Sequence, residues 1–198
     1  MTGTRIAVAG ATGRVGRHIV DVARERGHEV VPMARSLGVD VISGEGLDAA
    51  LAGVDCIIDA ATGPSPDQDE ATSFFTTAAR NLQAAGERAG VTRLVVVSIV
   101  GADRFPTGYG AATYAHEQAA AAGPIPARVV RAAQFHELVP QLIEWGTQGD
   151  TAYVQEMPTR AVAARTVAEA LVAQATDPAP DGPALGEALF EAILTKRS

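Results

Sequence analysis

The residues best placed to do chemistry are three evenly spaced glycines. They lie in Gly10-Ala11-Thr12-Gly13-Arg14-Val15-Gly16, directly after the apolar run Ile6-Ala7-Val8-Ala9. A glycine at the turn lets the backbone take positive φ. A second lets the main chain approach a pyrophosphate, and a third lets helix and strand pack closely. The helix that follows presents unpaired N–H groups and a partial positive charge to phosphates. Gly10, Thr12, Gly13, Arg14 and Val15 are the candidate phosphate contacts, and the strand–loop–helix context makes a dinucleotide the implied ligand.

NAD sites place an acid at the tip of the second strand, about 20 residues past the loop, to hold the ribose 2′-OH. Here that stretch reads Val31-Pro32-Met33-Ala34-Arg35-Ser36, and Asp40 comes only later. Arg35 suits a 2′-phosphate, because guanidinium matches phosphate geometry. Ser36 adds a hydroxyl and Arg14 a second positive charge. NADP is therefore favoured, with NAD as the alternative.

Lysine chemistry is excluded by composition. Of the 16 basic Lys and Arg residues only Lys196 is a lysine, two residues from the end of the sequence. A P-loop lysine, a Schiff base and a Tyr-Lys proton-transfer pair are all ruled against. The net charge of −7 argues against a nucleic-acid partner held by charge. Cys56 has no second cysteine to bridge and sits in an apolar run, as a buried structural thiol would. His18, His28, His116 and His136 are scattered without zinc spacing, so no metal is expected. No signal-peptide pattern is present, and no apolar stretch approaches the roughly 20 residues that span a bilayer. A cytoplasmic protein without a membrane partner is the expectation.

The elements that must position these residues alternate. Arg5–Ala9, Glu29–Met33, Val39–Ile42, Asp55–Ala60, Arg93–Ser98 and Arg128–Val130 read as strands one to six. Helices are expected over about 15–26 (ended by Gly27), 67–89, 113–122 and 134–145, with a short turn at 47–51. Beyond them, 152–154 and 160–163 read as short strands, 166–175 and 185–194 as helices, and 177–183 as a Pro-rich linker. Asp67, Asp69 and Glu70 read as a favourable charge set at a helix N-terminus. Such alternation implies an α/β fold, a doubly wound parallel sheet covered on both faces. One domain spans 1–198, with a Rossmann core over about 1–147 and a short C-terminal substrate-lobe remnant over about 148–198.

With these elements in place, a family resemblance becomes specific. The segment Ile6 to Gly16 resembles the N-terminus of the NmrA-like branch of the atypical short-chain dehydrogenase/reductases. So do Gly53-Val54-Asp55-Cys56-Ile57-Ile58-Asp59-Ala60, the long run Ala89 to Arg104, and Arg131-Ala132-Ala133-Gln134-Phe135-His136. The likeness runs from about Arg5 to Leu138 and more faintly from Val162 to Leu171. It implies that Ala60, Ala61 and Thr62 line the adenine and central ribose. It places Ser98, Ile99 and Val100 at the nicotinamide ribose, and Gln134, Phe135 and His136 on the nicotinamide side. Members of the branch include quinone and flavin-type reductases and regulators that bind the cofactor without turnover. The implied partner is a small conjugated acceptor; the short C-terminal region implies an open acceptor pocket, or one completed by a second copy in a homo-oligomer.

One departure matters. Relatives carry a Tyr and a Lys after strand five. Here Tyr109 fits the tyrosine and Thr113 stands at the lysine. Three readings follow: an acceptor needing no strong protein acid, a histidine proton source at His136 or His116, or no turnover at all. His116 reads as a surface residue between Ala115 and Glu117. A nucleotide-sugar epimerase is disfavoured, since it too relies on Tyr-Lys chemistry.

Overall fold

Ile6, Ala7, Val8 and Ala9 are all fully buried, which is why this run forms the central strand β1 (Arg5–Ala9). The computed structural model describes residues 3–153 and 160–177. Along the chain β1 is followed by α1 (Gly16–Glu25), β2 (Glu29–Met33), α2 (Leu47–Leu51), β3 (Cys56–Asp59) and α3 (Gln68–Ala89). Then come β4 (Arg93–Ile99), α4 (Gly108–Ala121), β5 (Ala127–Ala132), α5 (Val139–Gly146), a hairpin of β6 (Thr147–Gln148) and β7 (Thr151–Ala152), and α6 (Ala164–Thr176). The strands β2-β1-β3-β4-β5 form one parallel sheet in that order. The expected α/β doubly wound fold is present.

Alternation along the strands divides the core into two layers. Ile6, Val8, Ile58 and Val95 face α1 and α6, meeting Ile19, Val22, Leu171 and Val172. Ala7, Ile57, Leu94 and Val96 face the other side, meeting Leu47, Leu51 and Leu82. Fully burying each large aliphatic side chain contributes about 1.5–3 kcal/mol. Gln83 is the polar exception inside the second layer. Its amide donates to the carbonyls of Ala120 (2.7 Å) and Ile125 (3.0 Å) and accepts from the Ile125 N–H (2.8 Å), tying α3 to the α4–β5 connection.

Several boundaries need correction. Val39–Ile42 is not a strand. Asp40 accepts from the Ile42 N–H at 2.7 Å, and Gly44 N–H bonds back to the Asp40 carbonyl, so side-chain and turn bonds hold the segment as a loop that buries Val39 and Val41 and exposes Ile42. α4 starts at Gly108, a turn and a half before the expected start, because Gly108 N–H is held by Gln68 Oε1 at 2.6 Å. The expected helix over 134–145 splits into a 3-10 turn at His136–Leu138 and α5 from Val139, with Pro140 in its first turn. Of the short strands, 160–163 is reduced to a single bridge between Val162 and Phe135, and Val154 lies outside the described residues. The helix at 185–194 and all of the linker beyond Asp177 also lie outside them. Asp67 does cap α3, accepting from the N–H groups of Asp69 (3.0 Å) and Glu70 (3.1 Å). Cys56 is buried, and burial pushes its thiol up to about 12.

Candidate functional site

All five parallel strands end at one edge of the sheet, which is where open α/β sheets bind ligands. At that edge Gly10 turns the chain with φ +72°, and a Cβ there would lie 2.6 Å from the Ala60 carbonyl oxygen. Gly13 N–H closes the turn on the Gly10 carbonyl at 2.9 Å. A Cβ on Gly16 would lie 2.0 Å from that same oxygen, so the first turn of α1 sits directly against the loop. No side chain caps α1, and its first turn carries no acid. Its N-terminus keeps the positive end of the helix available to an anion.

A cleft of about 340 Å³ opens beside this turn. Gly10, Thr12 and Gly13 line one part of it, Ala60, Ala61 and Thr62 another, and Arg35 a third. Seven of the residues singled out from the sequence thus share one cavity. Arg35 is exposed in the 3-10 turn after β2, and its guanidinium makes no hydrogen bond or ion pair among the described residues. Ser36 is exposed beside it and does not line the cleft. Arg14 is half-buried, and Val15 packs into the α1 layer, leaving only its backbone for a ligand. A glycine-lined turn, an uncapped helix start and an exposed guanidinium form a set that can hold the phosphates of a dinucleotide.

The remaining candidates lie elsewhere on the edge. Ser98 and Ile99 end β4, and Val100 N–H bonds to the Ala132 carbonyl at the end of β5. Ser98 is buried, and its hydroxyl donates to Glu117, so it is already engaged by the protein. The Gln134 carbonyl accepts from Val162 N–H at 2.8 Å, and Phe135 packs against the α1–α6 layer. His136 is exposed, with its backbone N–H bonded to the Val162 carbonyl. Tyr109 opens α4 and meets Phe75 edge-on, with centroids 5.7 Å apart. Burial pushes its phenol above its ordinary range. Thr113, at the position of the lysine in relatives, spends its hydroxyl on the Tyr109 carbonyl at 2.9 Å.

His116 is not on the surface. It is 1% exposed, because α4 turns the face carrying Ala112, Thr113 and His116 towards α3 and the sheet. Its Nε2 lies 2.9 Å from Asp59 Oδ2, and its ring stacks on Phe75. Glu117, next in sequence, takes a bidentate pair from Arg131 (2.9 and 2.8 Å), while Arg131 also reaches Asp103 at 2.6 Å. Neither network was anticipated. An aspartate closing the otherwise apolar Cys56-Ile57-Ile58-Asp59 strand was the one visible signal. The cleft residues Met33, Val39, Asp40, Val41, Ile42, Pro64 and Phe74 were also missed. Asp40 lines the cleft from the loop that follows β2.

Comparison with known proteins agrees with this geometry. The chain is 34% identical over 116 residues to the photosystem II assembly factor Ycf39 of Synechocystis, a match spanning 52% of this chain and 36% of that protein. It thus spans about a third of that relative's length. A putative NAD-dependent epimerase/dehydratase from Bacillus halodurans superposes with a TM-score of 0.68 at 19% identity, covering 96% of this chain and all (100%) of that one. The Citrobacter triphenylmethane reductase complexed with NADP(H) gives 0.61 at 21% identity, covering 90% and 66%. The Bordetella bronchiseptica enzyme WbmG in complex with NAD gives 0.73 at 15% identity, covering 98% and 78%. These structures share the fold. The profile of the NAD(P)H-binding family matches residues 10–178, covering the glycine turn, the cleft and every strand end after β1, and the chain belongs to that family.

Proposed function

We propose that the chain binds NADP(H) in this cleft and transfers hydride to a small conjugated acceptor, a quinone or flavin-like compound, as in the NmrA-like branch. The observation that carries the cofactor choice is Arg35, without a partner among the described residues, at the cleft where an NAD site would place an acid. Asp40 also lines the cleft, but one of its carboxylate oxygens is spent on Ile42 N–H.

The bound nucleotide supplies the hydride. The glycine turn and α1 would hold its pyrophosphate, and Arg35 would hold its 2′-phosphate. The acceptor gains hydride and one proton, becoming the two-electron-reduced quinol or dihydroflavin. The chain offers no activated acid for that proton: the Tyr109 phenol is raised by burial and has no lysine beside it. The proton comes from water, or from exposed His136. An acceptor whose reduced form takes its proton from water suits such a site.

Arg35→Ala is expected to weaken NADPH binding about tenfold or more, one charge-assisted contact being worth roughly 1.5–3 kcal/mol, and to leave NADH within about twofold. Calorimetric titration of both nucleotides checks it; equal losses refute the 2′-phosphate assignment. For the proton, Tyr109→Phe is expected to change quinone-dependent NADPH oxidation by less than about threefold, since a phenol held protonated is a poor exchanger near neutrality. A loss of about a hundredfold or more in that variant would restore Tyr109 as the acid, and a comparable loss in His136→Ala would assign the proton to His136.

A second reading is a non-catalytic NADP(H) sensor. It is supported by the missing lysine and the raised Tyr109, and by a relative whose name is that of an assembly factor. Binding without NADPH oxidation across quinones and free flavins would favour it.

A further inference from the structure

We infer that His116 is a positioning residue for the dinucleotide: through Asp59 it fixes the Ala60–Thr62 wall of the cleft. The inference rests on the cleft being the dinucleotide site.

The wall is built from Ala60, Ala61 and Thr62. Ala60 N–H bonds to the Ala9 carbonyl at 3.1 Å, and Ala61 is 9% exposed in the core. Asp59 adds a directed side-chain bond past the strand end. Its Oδ1 accepts from the Ala61 N–H at 3.0 Å, while its Oδ2 lies 2.9 Å from His116 Nε2. Asp59 and His116 are each 1% exposed. With Asp59 as acceptor, the imidazole donates from Nε2. The ring is itself held, stacked on Phe75 at 4.8 Å and 15°. Phe75 meets Phe74 edge-on at 5.9 Å, and Phe74 lines the same cleft. Both ends of the chain His116–Asp59–Ala61 and His116–Phe75–Phe74 therefore terminate on cleft residues.

Packing alone does not account for the pair. Burying polar groups is costly, and a well-packed apolar pair of similar size would serve stability as well or better. The pair even leaves His116 Nδ1 buried without a hydrogen-bond partner among the described residues. What it supplies that apolar residues cannot is a directed bond to a backbone N–H at the lip of the site. Holding that lip before the ligand arrives lowers the ordering cost of binding.

His116→Phe keeps the ring and its stacking but removes the donor; His116→Gln can return an N–H near the Nε2 position. NADPH affinity is read by nucleotide fluorescence, and the wall by amide hydrogen exchange in the absence of nucleotide. His116→Phe is expected to raise the NADPH Kd about tenfold and to speed exchange at Ala61 about tenfold or more, with His116→Gln recovering most of both. Amides of α1 should be unchanged. Unmutated protein offers a check independent of whether variants fold: its Ala61 amide should be protected. Wild-type binding with His116→Phe within about twofold, or an unprotected Ala61 in the wild type, overturns the inference alone. A wild type that binds neither NADPH nor NADH overturns the cleft reading on which it rests.

Discussion

Gly16→Ala is expected to destabilise the protein by roughly 3 kcal/mol and to abolish dinucleotide binding. The added Cβ would lie 2.0 Å from the Gly10 carbonyl oxygen and 2.9 Å from the Ala11 Cα. Both are backbone atoms, so no side chain can swing away. The clash must move α1 off the loop, opening the β1–α1 turn that forms one end of the cleft. Gly27→Ala is the control. Its Cβ would meet nothing, and only its φ of +80° is unfavourable, at about 1 kcal/mol. Urea unfolding of the two variants should rank them in that order. Equal midpoints would mean that close helix–loop approach is not what Gly16 provides.

Glu117→Ala is expected to cost about 3 kcal/mol, lowering the melting temperature by roughly 6–12 °C in a chain of this size. Glu117 is buried and holds two groups at once, the Ser98 hydroxyl and the Arg131 guanidinium. It thereby ties α4 to β4 and β5 at the cleft edge of the sheet. Its removal takes the bidentate partner from a guanidinium whose side chain is 19% exposed and leaves it Asp103. Asp103→Ala removes the more exposed partner of the same guanidinium and should cost less than about 1 kcal/mol. Differential scanning calorimetry separates them. A Glu117→Ala loss no greater than that of Asp103→Ala would show that Arg131 is satisfied by solvent.

The contrast between these networks and the glycine turn explains what was legible in the sequence. Gly10, Gly13 and Gly16 shape the turn through local backbone geometry, and Arg35 follows the tip of a strand whose position is fixed by its apolar run. Both are written in short-range spacing, so both appear in the sequence. Asp59 and His116 are 57 residues apart, and Glu117 and Arg131 belong to different layers. Their pairing depends on which way α4 faces, and α4 is so rich in alanine that its burial pattern carries almost no directional signal. A histidine flanked by Ala115 and Glu117 therefore read as a surface residue, although Glu117 is itself buried. Val39–Ile42 failed for a different reason. Its apolar alternation is real, since Val39 and Val41 are both buried, but Asp40 gives the backbone a turn bond that competes with a ladder. That same turn brings Asp40, which lies past the strand tip in sequence, to the cleft lining.

The most direct test of the account is a calorimetric titration of the purified chain with NADPH and with NADH. Saturable binding of both, with NADPH the tighter by about tenfold, is the expected result if Arg35 takes the 2′-phosphate as proposed. No heat with either nucleotide would contradict the assignment of the Gly10–Arg35–Thr62 cleft.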